Sequence, residues 1–148
     1  MITEQEFQDA ANIIGCEVAA IKSVYEVEAA GRGYLDDGRV KILFEGHRFW
    51  KQIVKSGRNP QDFISNNHQY SNVLYKIWDK KQYKGGSAEW DRVSKAIEVC
   101  TKLNLQPELA LDSASYGSFQ IMGENSLLCG YATAQEMLAA YNNGGEQE

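Results

Sequence analysis

The chain has 148 residues, 43% hydrophobic and 24% charged, which suits one domain with its own core and excludes the compositions of disordered and membrane-spanning proteins. Its formal net charge of −5 disfavours nucleic-acid partners, whose phosphates call for a basic face, and would not dock it on an anionic membrane by charge alone; a local basic groove stays open. The three cysteines, Cys16, Cys100 and Cys129, are widely spaced without a CxxC pair, so buried free thiols are expected rather than disulfides or a zinc site.

In chain order, Thr3 with Glu6 has the form of a capping box, and Phe7, Ala10, Ala11 and Ile14 recur at helical spacing up to Gly15. From Glu17 to Ala30 the residues Val18, Ile21, Val24 and Tyr25 form one apolar stripe, ended by Gly31 and Gly33. Between Tyr34 and Phe44 the turn signal at Asp37 and Gly38 precedes the run VKILF and predicts a small hairpin. Phe49, Trp50, Ile53 and Val54 resume helical spacing before Gly57, and Asn59 with Pro60 starts another helix. Segment 66–84 is aromatic and basic with little periodicity; its Tyr70, Tyr75, Trp78 and Tyr83 read as core more than as groove.

Beyond Gly85 and Gly86, Ser87 is the expected cap of a long central helix with Trp90, Val93, Ala96, Ile97, Cys100 and Leu103 on one face. Pro107 opens a short helix, the small-residue stretch SASYGSFQIMG follows, and Thr133 with Glu136 forms a second capping box before Met137, Leu138 and Tyr141. The predicted class is mostly α, of the α+β kind with one small β-hairpin, in a single domain over residues 1–148.

One carboxylate is out of place in this pattern. At 100° per residue Glu28 lies above Val24 and Tyr25 on the apolar stripe, whereas Glu26 is turned about 160° away, near Lys22. Burial and the free carbonyls of a helix end both favour a protonated Glu28, which is the state a general acid needs for glycosidic-bond cleavage. The bland alternative is a surface glutamate. Context favours chemistry: Gly31 and Gly33 allow close backbone approach to a ligand, and Tyr34 offers a stacking face for a sugar ring.

Taken together, VYEVEAAGRGYLDDGRVKILFEGHRFW, YKGGSAEWDRVSKA and ALDSASYGSFQIMG resemble the N-acetylmuramidase domain of bacteriophage endolysins, a peptidoglycan-degrading family of the lysozyme-like superfamily. The resemblance runs from about Ile2 to about Tyr141. It implies a lysozyme-like helical domain that cleaves the β-1,4 bond between N-acetylmuramic acid and N-acetylglucosamine. The family's V-E-S-x-G glutamate, taken as the catalytic acid, falls on Glu28, with Ala29 in place of the serine. Its LFEGH element corresponds to Leu43 through His47, and its S-W-G-x-F-Q-I-M-G element to Ser115 through Gly123, with Tyr116 in place of tryptophan. Such segments line the cleft in lysozyme-like enzymes, so the resemblance implies that Tyr116 and Gln120 contact substrate.

Glu45 has two readings: it orients water or stabilises positive charge on the sugar, or it is a buried acid paired with His47, Arg48 or backbone amides. Asp36 and Asp37 have the same choice between positioning water and plain turn chemistry. His47 and His68 lack a third ligand at metal-like spacing, so neither a metal nor another cofactor is expected. The partner implied is the peptidoglycan glycan strand, with no nucleic acid and no membrane insertion. The first residues, MITEQEFQDA, show no secretory signal, so the expected site is the host bacterial cytoplasm, with release to the periplasm by other means.

Water attacking the anomeric carbon would make the enzyme a hydrolase; the muramyl 6-hydroxyl attacking it would make a lytic transglycosylase. The competing class is a non-catalytic wall-binding module with the same cleft. Family members usually continue past the helix matching Thr133 to Tyr141 and carry a Tyr-Asn-Gly motif near the cleft. These 148 residues are therefore expected to be a truncated form that tends to self-associate through exposed apolar faces.

Overall fold

The computed structural model describes residues 2–29 and 33–143, with only the backbone at positions 28 and 29. Helix α1 (Glu4–Ile14) starts at the expected capping box, in which Thr3 and Glu6 each satisfy the other's backbone N–H, and ends at Gly15 in the left-handed conformation. Helix α2 (Val18–Ala29) packs on it through Tyr25, whose ring meets Phe7 edge-on at 5.3 Å. The inward face of α2 is Val18, Ile21, Lys22 and Tyr25. Val24, placed on the stripe by the sequence, is 51% exposed, because α1 is a thin partner and covers only one side of the helix. Gly31 and Ala30 lie outside the described residues.

The expected hairpin forms differently. Its Tyr34 to Val40 part makes only an isolated bridge, closed by Asp37, which accepts from Arg39 N (3.1 Å) and pairs with its guanidinium at 2.7 Å. Asp37 is thus turn chemistry. The strand proper, β1 (Ile42–Phe44), pairs instead with β2 (Ala114–Tyr116), which pairs with β3 (Ile121–Met122), in an antiparallel sheet of order β1-β2-β3. The small-residue stretch SASYGSFQIMG therefore supplies two of the three strands. Alternation sets its two faces: Ile42, Phe44, Ala114 and Tyr116 are buried on the core side, leaving Leu43, Ser115 and Met122 on the other.

Helix α3 (Gly46–Lys55) buries Phe49 and Ile53, and α4 (Pro60–Asn66) begins where Asn59 accepts from Gln61 N at 3.1 Å. Two short 3-10 turns, His68–Tyr70 and Lys80–Gln82, follow. Helix α5 (Ala88–Leu103) is the central packing helix, burying Val93, Ala96, Val99 and Cys100, and it packs on β1 and on the short helix Glu108–Leu111. Ser87 makes no capping bond; the loop amides before α5 are taken by Glu89, described below. After α6 (Glu108–Leu111), β2, β3 and the 3-10 segment Gly123–Cys129, helix α7 (Ala134–Asn142) is capped by Thr133, which accepts from Glu136 N at 3.1 Å. Glu136 itself reaches Ala132 N rather than closing the box. Of the thiols, Cys100 is buried and Cys129 partly so, but Cys16 is exposed, against expectation.

Asp112, at the end of α6, has its carboxyl pushed up to about 6 by burial first and by Glu108 and Glu124 next. A raised carboxyl pKa means the folded state holds the proton better than the unfolded chain, so its charge costs stability as pH rises from about 4 through about 6. Asp112→Asn is therefore expected to raise the melting temperature at pH 7 to 8, with the gain shrinking toward zero below about pH 4. Melting curves across that range check it; a gain independent of pH would show that ionisation is not the cause.

Candidate active site

The apolar alternation of β1 ends at Glu45, which leads into α3 and places its carboxylate on the cleft side of the sheet. There a cleft of about 470 Å³ is lined by Lys41, Leu43, Glu45, Ser115, Gln120 and Met122, with Gly85 and Gly86 on its far rim. Glu45 is held rather than free: Tyr83 Oη donates to its Oε2 at 2.6 Å, and its amide donates to Ser113 O at 2.8 Å. His47 Nδ1 lies 3.2 Å from the same Oε2 but without hydrogen-bond geometry. Burial holds the His47 pKa below the usual value against the pull of the Glu45 carboxylate, so the ring is neutral and adds no positive charge. Among the described residues Glu45 Oε1 has no hydrogen-bond partner, which leaves one oxygen for the cleft.

Gly46 explains the glycine in this element. A Cβ there would overlap the ring of Tyr75, whose hydroxyl accepts from Gly46 N at 3.3 Å. Gly46→Ala is expected to cost about 1–3 kcal/mol by overpacking and to displace Glu45 next to it. The check is a melting temperature measured together with lytic rate; an alanine variant as stable and active as the parent would remove this constraint. Gly123 is a second close approach, where a Cβ would meet the Leu111 carbonyl.

Gln120 sits in the left-handed region at φ 51, a conformation disfavoured by about 1 kcal/mol for a residue with a Cβ. Two bonds offset that: its Oε1 accepts from Ser115 Oγ at 2.9 Å and its Nε2 donates to Gly117 O at 2.9 Å. Its side chain is fixed on the cleft wall. Tyr116 is not there. It is fully buried, and its hydroxyl donates to Leu111 O at 2.7 Å, which corrects the substrate contact expected of it. The period of two is the reason: Tyr116 stands opposite Ile42 and Ile121 on the core side, so the cleft-facing residue of the motif is Ser115. Tyr34 is likewise packed on the core, donating to Tyr141 O at 2.7 Å.

The side chain of Glu28 lies outside the described residues. What is described is its approach: one turn earlier, the Tyr25 ring lies 5.7 Å from Phe119, in the turn that carries Gln120. Position 28 follows Tyr25 by three residues and Ile21 by seven, the spacing of one helix face.

Sequence reasoning passed over the pair that braces this cleft. Glu89, fully buried, accepts from Phe44 N (3.0 Å), Lys84 N (2.6 Å) and Gly85 N (3.1 Å) and from Arg92 Nη1 (2.7 Å). Arg92 in turn donates to Phe44 O (2.9 Å), Asn72 O (3.1 Å) and Tyr75 Oη (3.2 Å). One ion pair thus ties β1 to the Gly85–Gly86 rim. The hint was an Asp/Glu and an Arg among apolar neighbours in AEWDRV, a pattern that ordinary surface helices also show.

The family model described as Muramidase, N-acetylmuramidase, matches residues 17–148. The chain belongs to the N-acetylmuramidase family. No curated protein matches its sequence. Among solved structures, this N-acetylmuramidase-family chain is similar to the crystal structure of Burkholderia AP3 phage endolysin, with a TM-score of 0.80 and 28% identity over 99% of this chain and 51% of that one. It spans about half the length of that endolysin. The mostly helical fold with its small antiparallel sheet is shared between them. Among the described residues no group of His, Cys, Asp or Glu forms a metal-holding cluster.

Proposed function

We propose that this muramidase-family chain is a peptidoglycan-cleaving glycosidase of the endolysin kind, acting on the β-1,4 bond between N-acetylmuramic acid and N-acetylglucosamine with Glu28 as general acid. The observation that carries the reading is the Glu45–Gln120 cleft with the α2 inward face running up to its wall through Tyr25 and Phe119, in a chain matched by the muramidase family over residues 17–148. Glu28 gives its proton to the glucosamine O4, the C1–O4 bond breaks, and positive charge develops on the muramyl ring. The Glu45 carboxyl group, on the cleft wall, suits that charge, while Tyr83 holds its Oε2. Gln120 and the sheet residues Leu43, Ser115 and Met122 form the wall against which the glycan lies.

The intermediate is then taken by water, giving a reducing-end muramic acid, or by its own 6-hydroxyl, which loses its proton to Glu28 and closes a 1,6-anhydro ring. Purified sacculi digested by the chain and analysed by mass spectrometry distinguish the two products. Intact sacculi after digestion, with the protein still bound to them, would instead support the non-catalytic wall-binding reading.

A further inference from the structure

The face opposite the sheet side of α3 is not used by the cleft. A groove of about 740 Å³ there is floored by Trp50, Val54 and Pro60 and edged by Lys51, Lys55 and Lys76. From Lys76 the chain continues directly into Ile77 and Trp78, which are 78% and 55% exposed, and then into the exposed Lys80 and Lys81. Val54 is itself 51% exposed. Three lysines line the groove with Trp50 and Val54, and two more, Lys80 and Lys81, flank the exposed Ile77 and Trp78 in the segment that leaves it, in a protein whose net charge is −5.

Two further facts say what this surface is built to meet. Among the described residues, no carboxylate lies within 4.0 Å of any of these five ammonium groups. The acid in the segment, Asp79, is occupied: it accepts from Lys81 N at 3.0 Å and Gln82 Nε2 at 3.1 Å, contacts that hold its carboxyl below the usual range and shape the turn presenting Trp78. The Trp78 ring stands edge-on to Tyr83 at 6.3 Å, so it is braced rather than loose. Lysines that form no close ion pair, beside exposed tryptophan and aliphatic side chains, match an anionic surface with an apolar interior immediately beneath it. Ile77 and Val54 offer a sugar neither a stacking plane nor a hydrogen bond, whereas acyl chains take both.

We propose that the α3 groove and the Lys76–Lys81 segment form a docking surface for anionic phospholipid bilayers, on which the chain lies without spanning. The inference is independent of the cleft chemistry. Because the loop runs from this surface into the Gly85–Gly86 rim, docking would hold the cleft beside the membrane.

The test is co-sedimentation of the full chain with vesicles of phosphatidylcholine alone or with about 30% phosphatidylglycerol. The chain is expected to pellet only with the anionic vesicles and to be released by about 0.5 M salt. The triple variant Lys76→Glu, Lys80→Glu, Lys81→Glu is expected to bind at least about tenfold more weakly with an unchanged melting temperature, since all three side chains are exposed. Vesicles should also shift the tryptophan emission of the parent to shorter wavelength, and Trp78→Phe should remove most of that shift. Absence of pelleting with anionic vesicles, or equal pelleting with neutral ones, overturns the proposal. So does a triple variant that binds vesicles normally but loses binding to purified sacculi, which would assign the face to the wall polymer.

Discussion

Glu28→Gln is expected to lower the rate of turbidity loss in peptidoglycan suspensions by about 10²–10⁴-fold, the usual contribution of a general acid. The substitution keeps the shape and hydrogen-bonding capacity of the side chain and removes only the transferable proton. It lies in the last turn of α2, and stability is expected to change by less than about 0.5 kcal/mol while binding to sacculi persists. Measuring lysis, melting temperature and sedimentation with sacculi on one preparation separates the outcomes. Equal lysis by variant and parent would remove Glu28 from the mechanism, and a collapsed melting temperature would make it a structural residue instead.

Replacing Glu89 is expected to have the largest effect on stability. Its two oxygens receive four donors at 2.6–3.1 Å, one of them the Arg92 guanidinium. A glutamine amide would turn its own N–H₂ toward some of those donors and leave the buried Arg92 charge uncompensated. Breaking such a pair costs about 3–5 kcal/mol. For a domain of this size that is a fall in melting temperature on the order of 10 °C. Lysis should fall too, because Lys84 and Gly85 would lose the anchor that sets the cleft rim. Joint replacement by apolar residues, Glu89→Leu with Arg92→Met, is expected to be less damaging than the sum of the two single changes, since no charge is then stranded. A Glu89→Gln variant that melts with the parent would show that the Phe44 and Asn72 carbonyls and the Tyr75 hydroxyl suffice to hold Arg92.

Much of the helical frame was legible because its signals are local. Thr3 and Glu6 are one turn apart, Asn59 caps the residues beside it, and the Val93, Ala96 and Cys100 face needs only its own periodicity. The sheet was not legible in the same way. Ser115 and Leu43 are neighbours in space and 72 residues apart in sequence, and a three-residue strand is too short to declare a period. Val24 was misplaced for a related reason, since periodicity shows that a helix has an apolar side but not how much of it a partner covers.

By itself the sequence determined the mostly helical class, the muramidase family and the motif elements from which the cleft is assembled, because caps, periods and motif spacing are properties of the chain alone. Only the tertiary structure decided which motif residues face the cleft. Strand pairing turned Tyr116 into the core and Ser115 outward; the packing of segment 66–84 brought Tyr83 to Glu45; and burial made Glu89 and Arg92, which read as an ordinary helix-surface pair, the brace between β1 and the rim. The physical reason is common to all three. Exposure and partner choice depend on chain segments far apart in sequence, and the free energy of a charge or a hydroxyl depends on that exposure more than on its identity.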